Sequence, residues 1–403
     1  MELPDLAVQR IKHSMTQTPK SGNPAAETVA NPLAPSPLVA VERAAQDLRR
    51  GLAVVVSGTD GEATLAIAAE MVSDDKIAAL RGWIDGDPDK LLSLALTHNR
   101  AATLKIMLYT PEIVRISLGE RLKAEDIRDL ADPALDLAKP LRGPFDARRD
   151  PVPPSCLAAV RLAKIARILP AAVTVPLPAH PSTELAAALP GLGQVNAADI
   201  VDYDIAQASM LTRITTARVP LDGAENSRIV AFRPRDGGIE HLAIVIGDPD
   251  SSSPVLARLH SECFTGDLLG SLKCDCGQQL RGAIDQIAAE GAGVLLYLAQ
   301  EGRGIGLINK LRAYALQDQG FDTVEANERL GFEADERVFL PAAEMLRQLG
   351  FSKVRLMTNN PDKVEALTQF GIEVTERVPH AFPTNEHNAF YLSTKARKSG
   401  HIL

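Results

Sequence analysis

Hydrophobic and polar positions in the second half of the chain follow first a strand period and then a helix period. Short alternating or apolar runs predict strands, and amphipathic runs that end at a glycine predict helices. The predicted strands are ARVPL at 217–221, SRIVAF at 227–232, HLAIVIG at 241–247, VLARLH at 255–260, VLLYLAQ at 294–300 and KVRLMT at 353–358. The predicted helices end at Gly291, Gly320 and Gly371. Strands that come first as a meander and then alternate with helices indicate a mixed α/β fold.

The first half also alternates between the two periods. VAVERAAQDLRRG at 39–51 predicts a helix that ends at a glycine, and LAVVV at 52–56 predicts a buried strand. ATLAIAAEMV at 63–72 has a helical pattern, as do the segments 123–131 and 156–168. We therefore predict a separate α/β domain here.

Composition shifts divide the 403 residues into four parts. Residues from about 16 to 36 are rich in Pro, Ser, Thr, Asn and Ala without hydrophobic periodicity, which is typical of a flexible leader, and we take 1–36 as this leader. Pro and Gly are dense between 170 and 193, which favours a boundary there. We predict a first domain over 37–180, a linker over 181–204 and a second domain over 205–403.

Charge and composition narrow the class of partner. The net charge of −8 and an aromatic content of 4% argue against a bulk nucleic-acid binder and against a base-stacking surface. No apolar run has the length of a membrane span, and the amino terminus lacks the pattern of a secretory signal. We therefore expect a cytoplasmic protein without a nucleic-acid or membrane partner. A small polyanionic substrate stays possible where basic residues cluster.

Three of the four cysteines lie within 14 residues, as Cys263 and the pair Cys274-Asp275-Cys276. Thiolates are ligands that zinc prefers, and a catalytic zinc keeps one position open for water, which it activates as a nucleophile. Three cysteines therefore suit a catalytic site. His260 lies close enough in sequence to be a fourth ligand, so a closed structural zinc site and unrelated buried thiols remain as alternatives.

Basic residues and a glycine-rich loop surround the cysteines in sequence. The loop Glu301-Gly302-Arg303-Gly304-Ile305-Gly306 lies between a predicted strand and a predicted helix, where an anion can bind, although a plain tight turn explains it equally well. Guanidinium and ammonium groups suit phosphate, but each alone is more often a solvated surface charge. The basic residues are Arg258, Lys273, Arg281, Arg303, Lys310, Arg312, Arg337 and Lys363.

Together these motifs resemble the GTP cyclohydrolase II family. The matching strings are ARLHSECFTGDLLGSLKCDCGQQL at 257–280, LLYLAQEGRGIGLINKLRAYALQDQGFDTVEANERLGFEADER at 295–337, RLMTNNPDKVEAL at 355–367 and the carboxy-terminal TNEHNAFYLSTKARKSGHIL. The resemblance covers about 200 residues in several blocks, in order. It implies a GTP cyclohydrolase II-type mixed α/β fold and hydrolysis of GTP to a diaminopyrimidine nucleotide, formate and pyrophosphate, the first step of riboflavin synthesis.

The resemblance also implies a cofactor set, an assembly and residue roles. Zn²⁺ would be held by Cys263, Cys274 and Cys276, Mg²⁺ would accompany the triphosphate, and the protein would be a homodimer. The implied catalytic residues are Asp335 as proton acceptor, Arg337 as nucleophile on the α-phosphate and Tyr314 in ring opening and formate loss. Because a guanidinium stays protonated, electrostatic stabilisation is the simpler role for Arg337. The implied GTP contacts are Arg258, Leu259, His260, Ser261, Glu262, Gln279, Glu301, Gly302, Arg303, Thr323, Thr358 and Lys363.

The first half faintly resembles 3,4-dihydroxy-2-butanone 4-phosphate synthase, at 38–72 and 158–173. That family carries an acid-rich loop after its strand, whereas this chain has the shorter SGTDGEATL with only Asp60 and Glu62. Ser155 and Cys156 stand where a histidine is expected. Losing hard oxygen ligands removes a magnesium site, so we expect this domain to be catalytically silent. An unrelated fold is the alternative for this half.

Four functions are consistent with these patterns. The leading one is a GTP cyclohydrolase II whose first domain is degenerate. A bifunctional riboflavin enzyme is disfavoured by the poor acidic loop. A non-catalytic GTP-binding regulator would not need the full set of cysteines and catalytic residues. A related cyclohydrolase that stops at a formamide intermediate is disfavoured by the tyrosine at position 314.

Overall fold

The structure is a computed structural model that describes residues 34–382, apart from 60, 85–86, 120–121, 141, 179 and 181–182. Most of the predicted leader, Asp60 and the carboxy-terminal string from 384 onward lie outside the described residues. The described residues from Ser36 belong to one compact unit that contains two β-sheets. Among the described residues, no helix combines the length and apolar character needed to cross a bilayer.

The first sheet has six strands in the order β4-β3-β5-β2-β1-β6. All neighbours are antiparallel except β1 and β6, which are parallel. The elements of this half are α1 (Pro37–Arg49), β1 (Val54–Ser57), β2 (Ala63–Ala68), α2 (Asp74–Trp83), α3 (Pro88–Leu91), β3 (Ser93–Thr97), α4 (His98–Thr103), β4 (Ile113–Ser117), α5 (Ala124–Ala131), α6 (Pro154–Ile165), β5 (Ala171–Leu177), α7 (Thr183–Ala188), β6 (Gly193–Asn196) and α8 (Ala197–Ser209).

The second sheet has seven strands in the order β13-β12-β10-β11-β9-β8-β7. Its elements are β7 (Leu211–Arg218), β8 (Ser227–Pro234), β9 (His241–Ile246), β10 (Val255–Ser261), α9 (Cys276–Glu290), β11 (Gly293–Leu298), α10 (Leu307–Asp318), α11 (Thr323–Arg329), α12 (Leu340–Gln348), β12 (Lys353–Met357), α13 (Pro361–Gln369) and β13 (Glu373–Val378). The predicted mixed α/β fold with a first meander is confirmed, because β7, β8 and β9 pair antiparallel in sequence order.

Four neighbouring strands of the second sheet, β13, β12, β10 and β11, run parallel. Parallel strands place their carboxyl ends at one edge, and loops at that edge are the usual binding region of such sheets. The strand β10 is central and buried, with its last residues at His260 and Ser261. The cysteine segment, the glycine loop and the turn after Met357 all leave the sheet at this edge.

The two halves share a hydrophobic core. Helices α10 and α11 belong to the second half, yet their apolar side chains join the cluster formed by β2, β3, β4 and β5. The contributors from the second half are Ile305, Ala313, Leu316, Ala326, Leu330 and Phe332. Burial of this area is the main stabilising contribution between the halves.

Besides strand β7, which runs over Leu211–Arg218 and not over the predicted 217–221, two expectations from the sequence differ from the structure. The segment 63–72, predicted to be helical, forms strand β2 over Ala63–Ala68 and a short 3₁₀ turn over Ala69–Met71. Its alanines favour helix locally, but Val54–Ser57 and Ala172–Leu177 pair with it on both sides, and pairing outweighs intrinsic propensity.

The second difference concerns the predicted linker over 181–204. Its last part forms strand β6 and most of helix α8, and β6 completes the first sheet beside β1. The four-residue strand has a mixed burial pattern, so its apolar signal is too weak to be read from the sequence alone.

We expect Phe332→Ala to lower the free energy of unfolding by about 3–5 kcal/mol, because this side chain is 1% exposed in the core that both halves share. The measurement is urea unfolding followed by circular dichroism. Leu137→Ala is the control, since that side chain is 57% exposed and should change stability by less than about 0.5 kcal/mol. Equal stabilities for the two variants would contradict the shared core.

Candidate functional site

A cavity opens at the carboxyl edge of the second sheet. Every predicted site residue lines it except Asp335, which forms an ion pair with Arg337. Eight further residues line the cavity although the sequence analysis did not place them in the site: Asp275, Ile305, Lys310, Gln317, Asn327, Asn359, Asn360 and His380.

The three cysteines meet at one point of this cavity. The sulfurs of Cys263, Cys274 and Cys276 all lie within 4.8 Å of one another, and the Sγ atoms of Cys263 and Cys274 are 3.7 Å apart. Four sulfurs about 2.3 Å from a tetrahedral zinc would be about 3.8 Å apart, so this spacing fits a shared metal ion. Throughout the part of the chain that the structure describes, no other group of His, Cys, Asp or Glu side chains meets this requirement.

Gly266 makes room for the sulfur cluster. A Cβ atom at this position would lie 2.8 Å from Cys274 Sγ and 3.1 Å from Cys263 Sγ, both too close for ordinary contact. The Gly266 amide donates a hydrogen bond to Cys263 Sγ at 3.3 Å. The backbone at Gly266 therefore packs closely against the sulfurs. This close packing is a second observation that fits a metal ion.

His260 does not join the cysteines. Its Nε2 lies 3.0 Å from both carboxylate oxygens of Asp267, and its ring stacks on Tyr297. Asp267 also accepts hydrogen bonds from the Tyr297 hydroxyl and from the Cys263 amide, each at 3.0 Å. His260 thus helps to shape the cysteine segment, and the cluster keeps three protein ligands, the number that suits a catalytic rather than a structural site.

Lys310 and Glu301 form a buried ion pair beside Cys263. Lys310 Nζ donates to Glu301 Oε1 at 2.8 Å and to Cys263 Sγ at 3.0 Å. The other oxygen of Glu301 accepts the Phe264 amide at 2.6 Å. Hydrogen bonds from the neighbouring cysteine thiols, followed by Lys310, hold the pKa of the Cys263 thiol well below its usual range. The thiolate is the form that binds metal.

The glycine loop has an unusual backbone. Gly302, Arg303, Gly304 and Gly306 all have positive φ, and Arg303 does so although it is not a glycine. A left-handed arginine costs about 1–2 kcal/mol, so the surrounding contacts must hold it. The Arg303 guanidinium donates a hydrogen bond to Ala334 O at 3.2 Å, and the backbone carbonyl of Arg303 accepts one from the Glu336 amide at 3.0 Å.

Arg337 and Asp335 face each other through a two-pronged ion pair. Arg337 Nε donates to the two oxygens of Asp335 at 2.8 and 3.1 Å, and Nη2 also contacts this carboxylate. Burial raises the pKa of the Asp335 carboxyl, but Arg337 lowers it by more. The pKa of Asp335 therefore lies below its ordinary value. Asp335 is therefore an anion that holds Arg337 in its cationic form.

Arg258 is a buried cation at the end of β10. It donates to Met357 O at 2.7 Å and to Gln279 Oε1 at 2.5 Å. Its Nε is buried without a hydrogen-bond partner among the described residues. Burial lowers the pKa of Arg258 to about 10. An unsatisfied N–H of a buried arginine that lines a cavity is a donor that a ligand can use.

The remaining predicted residues lie around the cavity with local roles. Lys363 is buried and donates to Leu259 O at 2.8 Å. The Thr358 hydroxyl accepts the Asn360 amide at 3.0 Å and so shapes the turn before α13. The Tyr314 hydroxyl lies 3.5 Å from the Thr265 hydroxyl, close to the cysteine segment. Thr323 accepts a hydrogen bond from Gln317 at 3.4 Å.

The further lining residues carried weaker sequence signals. Lys310 is one of the basic residues near the glycine loop, but its position beside Cys263 depends on the helix that follows the loop. His380 lies far from the motifs, and its Nε2 is 2.9 Å from Gln279 O. Asn359 donates to His380 O and accepts its amide, which ties the chain after β13 to the cavity rim.

In the described part of the first half's acidic loop, Glu62 is bound by Ser155. The Glu62 carboxylate accepts the Ser155 amide at 3.0 Å and the Ser155 hydroxyl at the start of α6. The Thr64 hydroxyl lies 2.7 Å from the same Ser155 hydroxyl. Burial raises the pKa of the neighbouring Cys156 thiol, which makes it a poor nucleophile.

Among solved structures, the chain is similar to a two-domain 3,4-dihydroxy-2-butanone 4-phosphate synthase from A. baumannii. The likeness covers 85% of this chain and 99% of that one, at 19% sequence identity and a TM-score of 0.32. A superposition this loose supports no conclusion about either half.

Sequence comparison gives a much stronger result. The model of the family described as GTP cyclohydrolase II matches residues 212–379. The GTP cyclohydrolase-2 of Azospirillum brasilense is 54% identical over 92% of this chain and 96% of its own length. Proteins of the same name from Escherichia coli and Shigella boydii are 56% identical over 48% of this chain and 98% of theirs. The chain therefore belongs to the GTP cyclohydrolase II family.

Proposed function

We propose that this protein is a zinc-dependent GTP cyclohydrolase II, which hydrolyses GTP to a diaminopyrimidine nucleotide, formate and pyrophosphate in the first step of riboflavin synthesis. The observation that carries the proposal is the cluster of three cysteine sulfurs around Gly266, in a cavity that also contains buried cations. Family membership supports the substrate and the reaction.

The donor set supports zinc as the metal. Cys263, Cys274 and Cys276 offer three soft ligands in a tetrahedral spacing, which zinc prefers over hard cations. When bound there, zinc supplies Lewis-acid activation of water for attack on the purine ring. The described residues hold no carboxylate cluster for a second ion. Mg²⁺ would therefore enter with the triphosphate, whose oxygens it prefers.

The cations of the cavity suit the triphosphate. Arg258, Arg303, Arg337 and Lys363 come from four separate segments and converge on one space. Arg337 keeps its charge because Asp335 pairs with it, so it is suited to stabilise the negative charge on the leaving pyrophosphate. A role as nucleophile would require a neutral guanidine, which this ion pair disfavours. Asp335 serves as proton acceptor only when substrate draws Arg337 away.

The other predicted residues complete the substrate site. We propose that Leu259, His260, Ser261, Glu262, Gln279, Glu301, Gly302, Thr323 and Thr358 contact GTP directly or hold the residues that do. Glu301 belongs to the second kind, because both of its oxygens already bind Phe264, Gly302 and Lys310. Tyr314 stands beside the cysteine segment, where its hydroxyl can move a proton during ring opening.

We also propose that residues 205–403 carry the catalysis, that the first half is a silent relative of butanone phosphate synthase, and that the protein is a cytoplasmic homodimer. Support for the silent first half comes from Glu62, whose carboxylate binds Ser155 and is not available to a metal ion. Support for the dimer comes from exposed apolar side chains in two adjacent segments that a second copy can cover: Phe264, Leu268, Leu269, Leu272, Ile308 and Leu311.

We expect purified protein loaded with zinc to hydrolyse GTP, in the presence of Mg²⁺, to formate, pyrophosphate and the diaminopyrimidine product in equal amounts. All three products should disappear in Cys274→Ser, because an alcohol does not replace a thiolate as a zinc ligand. The measurement follows the three products together by chromatography and a coupled formate assay. Tight GTP binding without formate would indicate the regulator instead, and turnover of ribulose 5-phosphate would indicate a bifunctional enzyme.

Gly266→Ala should weaken zinc binding by about 10–100-fold, because the new methyl group would press on two of the sulfurs. Zinc content after dialysis against graded chelator measures this directly. Leu268→Ala is the matched control in the same segment, since its side chain is 71% exposed and is expected to leave zinc content unchanged. If Gly266→Ala kept its full zinc content, the cysteine cluster beside Gly266 would not be the metal site.

Tyr314→Phe should release pyrophosphate while formate falls by roughly 100-fold or more, because the hydroxyl that moves a proton is gone. A formamide intermediate should accumulate, and mass spectrometry detects it. Zinc content should stay at the wild-type level, since Tyr314 is not one of the cysteine ligands. Formate and pyrophosphate in the wild-type ratio would show that Tyr314 has no part in formate loss.

A further inference from the structure

None of the described residues of the first half lines the cavity. The Escherichia coli relatives match only 48% of this chain, yet that is 98% of their own length. Proteins of this family therefore exist at about the length of the second half. The contacts between the halves indicate what the first half does here.

Arg167 forms hydrogen bonds with both ends of the segment 299–310, which carries the glycine loop. It lies between α6 and β5 in the first half, and its Nη2 donates to Ala299 O at 3.1 Å. Its own carbonyl accepts Asn309 Nδ2 at 3.1 Å. Between these points, a Cβ atom at Gly306 would lie 3.1 Å from Arg167 Cβ, so the arginine stem packs directly on the loop.

The backbone of Arg167 is in the left-handed region, with φ of +57°. This conformation costs a non-glycine residue about 1–2 kcal/mol. Such a residue persists where the surrounding contacts fix it, and these sites often serve function. Both the side chain and the carbonyl of Arg167 point to the second half in this conformation.

A second contact fixes the same point on helix α10. Arg312 donates to Asn309 Oδ1 at 2.8 Å and to Glu70 Oε2 at 3.2 Å. Glu70 belongs to the first half and also accepts the Leu169 amide at 2.9 Å. Asn309 is fully buried, and both ends of its side-chain amide are held by this network.

The next residue along the helix is Lys310, which reaches the cysteines. Successive helical residues point about 100° apart, so α10 presents Asn309 to the first half and Lys310 to the metal-binding cluster. Lys310 binds Cys263 and Glu301, and Glu301 binds the Phe264 amide. A small displacement of α10 would move Lys310 and Glu301 away from Cys263.

We propose that the first half positions the active site through Arg167, which holds the segment 299–310 so that Lys310 and Glu301 lie beside Cys263. Arg167 is a positioning residue and touches no substrate. The proposal rests on the proposed function only for its kinetic readout. Its structural readouts stand without that function.

Arg167→Ala in the full-length, zinc-loaded protein tests the proposal. Amide hydrogen exchange should rise in residues 299–310 while strand β10 keeps its protection. Zinc loss to a chromogenic chelator should become roughly tenfold faster. The kcat for GTP should fall roughly tenfold, and the KM should change by less than about threefold, because positioning is lost while the phosphate-facing cations keep their partners.

Asn99→Ala is the matched control. It removes another hydrogen bond between the halves, from Asn99 Nδ2 to Phe332 O at 3.0 Å, which does not touch the segment 299–310. It should leave exchange in that segment, zinc loss and kcat at wild-type values. If Arg167→Ala matched Asn99→Ala in exchange and in zinc loss, or raised exchange throughout the protein, the proposal would be overturned.

Arg167→Lys and Arg167→Gln keep the test decisive if the alanine variant does not fold. Lysine retains a long donor that can reach Ala299 O, so it should recover part of the protection and of the zinc retention. Glutamine is shorter and should not recover them. Equal behaviour of these two variants would also overturn the proposal.

A wild-type protein that holds zinc but does not turn over GTP would refute the proposed function alone, since exchange and zinc loss remain measurable.

Discussion

The buried carboxylate of Glu301 is the interaction on which the site depends. It is 4% exposed and accepts three hydrogen bonds, from the amides of Phe264 and Gly302 and from Lys310 Nζ. An unpaired charge at this depth would cost several kcal/mol, so the carboxylate strongly favours the one arrangement that supplies all three donors. That arrangement joins the cysteine segment to the glycine loop and to helix α10, which directly follows that loop.

The parallel strands explain why these segments meet at all. β10, β11 and β12 are neighbours in register, so the chain leaves each of them at the same edge. The cysteine segment follows β10, the glycine loop follows β11 and the Thr358 turn follows β12. Arg258 near the end of β10, Arg303 in the glycine loop and Lys363 in the helix after the Thr358 turn therefore line one cavity. The mutual repulsion of the cations in this cavity is offset by Asp335 beside Arg337 and by Glu301 beside Lys310.

The sequence predicts the parts of this site that are encoded locally. The spacing of Cys263, Cys274 and Cys276 and the glycines at 302, 304 and 306 are visible as short patterns, and the helices after them end at glycines where expected. The hydrogen bonds between Asp267 and His260 are not visible in the sequence, because they depend on how the chain turns back after β10. The contact of Lys310 with Cys263 is not visible either, because it depends on where helix α10 meets the cysteine segment. The segment 63–68 is the opposite case: its alanines predict a helix, and only pairing with two neighbouring strands makes it β2.

The first half, which we propose to be catalytically silent, contacts the second half through side chains of both charge signs. Two of its acidic side chains have partners within this half or across the junction: Glu62 binds Ser155, and Asp136 binds Arg100 and also lies 3.6 Å from Arg329 of the second half. Arg100 is 1% exposed and donates in addition to the Arg329 carbonyl at 3.3 Å. Polar contacts of this kind fix the orientation of the two halves at the apolar core that they share. Hydrogen bonds depend on direction, whereas burial of apolar area does not. If the first half holds α10 and α11 in one orientation, it also determines where Lys310 lies relative to Cys263. This effect requires no substrate to bind in the first half.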